Sequence, residues 1–182
     1  MFASNGYTNV SMRELASALG INCGSIYNHI ESKEALLYEL LEELLGLLQS
    51  KGAMIQRKVS PPNRLRKIIE MHLSLQDRMP CHFQLLEREW RHLNEPWLSQ
   101  ADSLRARYEQ VIAAAVGTSA CDRVRAKSIV TLLNQTPSWL AALKLTARAR
   151  LDLIHSMVAL ILAQAPCDLP GPLSGAATGK SH

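Results

Sequence analysis

Aromatic residues are scarce in this chain, at 5% of 182 positions. Sheet proteins draw heavily on aromatic and β-branched side chains, so the shortage, beside plentiful Leu, Ala and Ile, points to an all-α fold. Cysteine is sparse as well. Cys23, Cys81, Cys121 and Cys167 lie tens of residues apart, and no two have the spacing of a zinc or redox motif. They read as reduced thiols filling small apolar gaps in a cytoplasmic protein. Cys81-His82 with His92 also lacks ligand spacing, so no metal is expected. No run approaches the ~20 apolar residues that a membrane span needs. The N-terminus has no basic stretch followed by a hydrophobic segment, so neither secretion nor a membrane partner is expected. A Ser-His-Asp signature, paired carboxylates and a phosphate loop are all missing, which argues against an enzyme and against a bound cofactor. Charge of one sign is barely in excess. The 20 basic and 16 acidic residues leave +4, compatible with a polyanionic partner without requiring one.

What the chain does have is helical periodicity from Val10 onward, in ordinary globular material that is 47% hydrophobic and 20% charged. Ser11-Met12-Arg13-Glu14 reads as a capping box, Met12, Leu15, Ala16 and Leu19 form an apolar stripe, and Gly20 stops the helix. Asn22 caps a short second helix of about seven residues, anchored by Ile26 and Ile30. Ser32 caps a long Leu-rich helix running to about Lys58. Breaks at Ser60-Pro61-Pro62-Asn63, Pro80, Asn94-Glu95-Pro96 and Gly117-Thr118-Ser119 divide the remainder into helices at about 63–79, 81–93, 97–116 and 120–143. Within the last of these, Pro137 predicts a kink. The final helix, about Thr146 to Ala165, is apolar on nearly every side beyond Asp152, so it needs burial both by its own domain and by a second copy. The segment 166–182, rich in Pro, Gly and Ser, reads as a disordered tail.

Two short helices joined at Gly20-Ile21-Asn22 have the dimensions of a helix-turn-helix, whose second helix enters the DNA major groove. Its outward set is Cys23, Gly24, Ser25, Tyr27, Asn28 and His29. Ser25 and Asn28 can bond base edges, Tyr27 and His29 can reach phosphates, and Gly24 permits close approach. Lys33 stands at the positive end of a helix, where a cation is mildly unfavourable and a phosphate would suit both. Arg13 and Thr8 could hold the other side of the groove, and Ser11 and Asn22 complete the candidate DNA-binding residues.

NGYTNVSMRELASALGINCGSIYNHIESKEALLYELLE resembles the DNA-binding segment of TetR-family transcriptional repressors. Gly6-Tyr7, Ser11 to Ala16, Gly20-Ile21, Gly24 to His29 and Ser32 to Leu36 agree in order, spacing and type over about thirty-five positions. The resemblance implies phosphate contacts at Tyr27, His29 and Lys33 and base-facing roles for Ser25 and Asn28. Ile30 stands where the family usually has Phe. The family's first helix precedes Phe2 to Tyr7, so only its last turn is expected here, as in a truncated product or one with a late start. Residues 1–58 hold five basic and six acidic side chains, a net of −1 that is poor for a polyanion binder.

The implied organisation is a helix-turn-helix domain at 1–50 and a helical ligand-binding and dimerisation domain at 51–165, pairing as a homodimer through the last two helices. QLLEREWRHLNEPWLSQADSLRARYEQVI and AKSIVTLLNQTPSWL resemble the branch that responds to acyl-CoA thioesters. That likeness marks Asn134 and Trp139 as ligand residues, with Arg88, Arg105 and Arg107 available to CoA phosphates and His72 a further candidate. The plainer readings put Trp139 in the core, make Asn134 a structural hydrogen bonder and His72 a satisfied core histidine, and pair Glu87 with Arg91 across one helix turn for ~0.2–0.5 kcal/mol. The functional expectation is a repressor that binds double-stranded operator DNA and is released by a small hydrophobic or acyl-CoA effector. A dimeric helical module that binds DNA weakly or not at all is the alternative.

Overall fold

The computed structural model describes residues 1–164. Its order is α1 (Phe2–Asn5), α2 (Met12–Ala18), α3 (Cys23–Ile26), α4 (Lys33–Lys58), α5 (Pro61–Arg78), α6 (Pro80–Arg88), α7 (Trp97–Val116), α8 (Ala120–Leu140) and α9 (Ala147–Ala163). Single 3-10 turns at Trp90–His92 and Ala141–Leu143 follow α6 and α8. Among the described residues there is no strand, and no helix is long and apolar enough to cross a membrane.

α4 is the axis of the molecule. Leu37, Leu41, Leu44, Leu45 and Leu48 lie on its inner face at helical spacing, each at most 1% exposed. They pack into one cluster with Ile68 and Ile69 of α5, Tyr108 and Ile112 of α7, and Ile129 and Leu133 of α8. Each such side chain contributes roughly 1.5–3 kcal/mol by leaving water. α4 and α7 pack tightly at Gly52, where an added Cβ would stand 2.6 Å from Val111 Cγ1. Beside it Gln56 Nε2 donates to the Val111 carbonyl at 2.8 Å. A helical glycine costs about 0.5–1 kcal/mol relative to Ala, and the close packing offsets it.

Several expected boundaries move. α3 is a single turn ending at Ile26, with Tyr27, Asn28 and His29 in the turn beyond it. α6 ends at Arg88, not near Leu93. α4 keeps its expected end, running unbroken through position 50 to Lys58. Pro137 stays inside α8, which runs on to Leu140. Because Pro137 has no N–H to give the carbonyl four residues earlier, Leu133 O is left over. Gln76 Nε2 donates to it at 2.6 Å and Thr136 Oγ1 at 2.8 Å. The chain thus satisfies that carbonyl itself. The tail expected at 166–182 lies outside the described residues.

Candidate functional site

The N-terminal head is built by three caps. Ser11 Oγ accepts from the Glu14 N–H at 3.2 Å while Glu14 Oε2 accepts from the Ser11 N–H at 2.7 Å, closing the capping box of α2. Those bonds from Ser11 hold the Glu14 carboxyl below its ordinary range. Asn22 Oδ1 accepts from the Gly24 N–H at 2.9 Å, and Ser32 Oγ from the Ala35 N–H at 2.9 Å. Gly20, at φ +69°, makes the left-handed exit that lets α3 follow α2 so closely. Met12, Ala16 and Ile26 form a small separate core, with Leu15, Cys23 and Ile30 against it.

Thr8, Ser11, Arg13, Asn22, Gly24, Ser25, Tyr27, Asn28 and His29 are all exposed. The head brings Ser25, Tyr27, Asn28 and His29 together in one turn of chain, and Tyr27 keeps 53% of its surface in solvent. Ser11 and Asn22 spend their side chains on caps. Cys23 departs from the outward set, because it is half-buried against the small core. Lys33 is also half-buried. Its ammonium rests 4.2 Å from the centre of the Tyr7 ring and 5.8 Å from that of Phe2, a cation–π contact rather than a free charge.

That contact belongs to a junction not visible in the motif. Tyr7 stacks on His92 with centroids 5.2 Å apart and planes at 22°. His92 Nε2 lies 3.3 Å from Glu89 Oε2, and the Glu34 carboxylate accepts from the Asn94 N–H. Burial, with Glu34 nearby, raises the Tyr7 phenol above its ordinary value. Phe2 and Val10 enter the main core, so the head is fastened to the helical body at both ends. Contacts between positions about sixty to ninety residues apart carry no sequence spacing, which is why only the structure finds them.

In the body, His72 is fully buried between Phe83 and Tyr108, with Nδ1 2.8 Å from the Tyr108 hydroxyl and no partner at Nε2. Burial drives its pKa from 6.5 to about 3, with the Leu133 carbonyl acting weakly the other way, so the ring is neutral. The same burial raises the Tyr108 phenol. Arg88 and Asn134 meet in a cleft of about 490 Å³ whose wall also includes Glu87, Trp90, Arg91 and Arg105. Asn134 Oδ1 and Glu87 Oε2 are buried there without hydrogen-bond partners. Glu87 does not pair with Arg91 as its spacing suggests; its other oxygen accepts from Ser138. Arg105 lies 3.5 Å from Glu109 and 5.7 Å from the centre of Trp90. Trp139 is 39% exposed and lines neither this cleft nor the core, which overturns its core reading.

The family model described as bacterial regulatory proteins, tetR family, matches residues 1–40. An uncharacterized HTH-type transcriptional regulator of Bacillus subtilis, YerO, is 35% identical over 69 residues, which cover 37% of this chain. The match spans only 24% of that relative's length. The TetR-family regulator PfmR of Thermus thermophilus superposes with a TM-score of 0.76 at 24% identity, over 88% of this chain and 92% of PfmR. AibR, solved with isovaleryl coenzyme A and operator DNA, does so with a TM-score of 0.73 at 19% identity, over 87% and 90% of the two chains. The exposed turn on its capped two-helix head thus sits in the segment that matches the model of the tetR family of bacterial regulatory proteins, and the helices behind it have the fold of the regulators PfmR and AibR.

Proposed function

We propose that this protein is a ligand-responsive transcriptional regulator and not an enzyme. It acts in the cytoplasm as a repressor, binding palindromic double-stranded operator DNA as a homodimer. One observation carries the reading. Ser25 on the single turn of α3 and Tyr27, Asn28 and His29 just beyond its end are exposed together, and among the described residues their side chains make no hydrogen bond or ion pair within the chain. Such a set is arranged to bond something outside the chain, and polar groups of this kind on a short second helix and the turn after it suit base edges and phosphates.

The dimer forms through α8 and α9, a reading supported by the exposure of Val124 at 48% and Leu160 at 69%. The effector is a small hydrophobic molecule or an acyl-CoA. The orphaned Asn134 and Glu87 oxygens beside Arg88 support a ligand in their cleft, and AibR is a structural neighbour that binds a coenzyme A ester. A gel shift with the DNA upstream of the gene should show a retarded band that is weakened by Tyr27→Ala. Unaltered binding in that variant would remove the phosphate role from Tyr27.

The net charge of −1 over residues 1–58 favours a second reading, a dimeric helical module with weak or no DNA binding. That reading predicts a dimer by light scattering with no operator affinity at any salt concentration.

A further inference from the structure

A second cleft, of about 340 Å³, opens where the end of α5, the start of α6, the end of α8 and the start of α9 meet. Its walls include Pro80, Pro137, Leu140 and Leu145, with Gln76, Thr136, Lys144 and Arg150 among them. Thr136 and Asn134 are two residues apart and therefore ~200° apart around α8, so this cleft and the Asn134 cleft lie on different sides of that helix.

Three independent features single it out. Arg150 Nε is buried and has no acceptor, although Nη2 of the same guanidinium donates to Asp77 Oδ2 at 2.6 Å. A buried guanidinium N–H without a partner costs more than an ordinary missing hydrogen bond. Lys144 is the one non-glycine residue at positive φ among the described residues, at 46°, and it has no ion pair there. A lysine held in the left-handed region is strained by about 1–3 kcal/mol, a condition that recurs where a side chain must be aimed. Lastly, the polar groups nearest the Pro137 gap are already matched: Gln76 and Thr136 bond Leu133 O and one another. Asp77, the one acid on the wall, is already paired with Arg150 Nη2, so what the cleft leaves unmet is cationic, set between apolar walls.

We propose that this cleft binds a small apolar carboxylate. One carboxylate oxygen takes the free Arg150 Nε–H, the other meets the Lys144 ammonium, and the hydrocarbon body lies against Leu140, Leu145 and the two prolines. The apolar walls favour such a molecule over a bare inorganic anion, and the volume suits a ligand of modest size. The carboxylate then shares the Arg150 guanidinium with Asp77, which keeps Nη2 in the one ion pair that joins α5 to α9 among the described residues. The proposal goes beyond the regulatory reading and stands whether or not the head binds DNA.

The test is calorimetric titration of the full chain with benzoate, isovalerate and octanoate, each beside its neutral amide. Saturable binding of at least one carboxylate, absent for its amide, is expected. Lys144→Gln should weaken it about tenfold, as loss of one charge-assisted contact does. Arg150→Gln should weaken it further, and Arg150→Lys should recover part of the loss. Lys144 is exposed, so its variant remains informative even if the Arg150 variants fail to fold. Absence of saturable binding for all three acids overturns the proposal, and so does binding that Lys144→Gln leaves unchanged.

Discussion

Single residues decide how the head is held and what it presents. Ser32 caps α4 with a part-buried bond to the Ala35 N–H, so Ser32→Ala should lower stability by about 1 kcal/mol, read as a drop of roughly 2–4 °C in Tm. Lys33 is subtler, because its charge sits on the Tyr7 ring. Lys33→Ala should weaken operator binding and reduce the salt slope by about one if the ammonium reaches a phosphate when DNA is bound. If it serves only Tyr7, the slope stays and thermal stability falls instead.

His72 offers a pH signature. Its folded pKa lies far below the unfolded one, so between about 3 and 6.5 the unfolded chain binds a proton that the folded chain refuses. Stability from this group is complete above 6.5 and is lost as the pH falls towards 3. His72→Phe should flatten that part of the pH–stability curve in denaturant titrations, whatever it costs at neutral pH through the Tyr108 hydroxyl. The carboxyls of Glu14 and Asp122, both held low by the serines that cap their helices, act in the same direction. Their support is present above the ordinary carboxylate range and is lost as the pH falls through and below it.

At the scale of elements, legibility followed the range of the forces. Caps at Ser11, Asn22 and Ser32 act over two or three residues, so the sequence alone marks them, and the bonds are there. The start of α7 at Trp97 and its end at Val116 were readable from Pro96 and Gly117 for the same reason. The end of α3 was not, since Tyr27, Asn28 and His29 carry no stop residue and the chain leaves the helix by turning towards Ile30. Arg88 and Asn134, both ligand candidates, line one cleft, whereas Trp139 on the same helix as Asn134 is exposed and does not line it. Periodicity cannot tell which face of α8 meets α6.

Gly52 was silent in the sequence. Its role appears only once Val111 of α7 lies against it. Gly52→Ala should separate α4 from α7 and cost about 1–3 kcal/mol by overpacking, despite the better helix propensity of alanine. A denaturant midpoint at or above that of the unaltered protein would show that Val111 gives way freely.

For the whole molecule, the arrangement that matters is an N-terminal head fastened to a helical body by Phe2 and Val10 in the main core, Tyr7 on His92, and Glu34 on the Asn94 N–H. A head so tied can report what happens in the body. The exposed Leu160 should lie at the surface between two copies, and Leu160→Glu should shift the protein from dimer to monomer in light scattering.

The central claim is that the turn from Ser25 to His29 reads DNA. Selection of duplexes from a random-sequence library tests it most directly, because no operator need be known beforehand. The unaltered protein should enrich an inverted repeat whose half-sites match the spacing of two heads, and Ser25→Ala with Asn28→Ala should change or abolish the enriched sequence. No enriched repeat at low salt, or the same repeat from the double variant, would contradict the account.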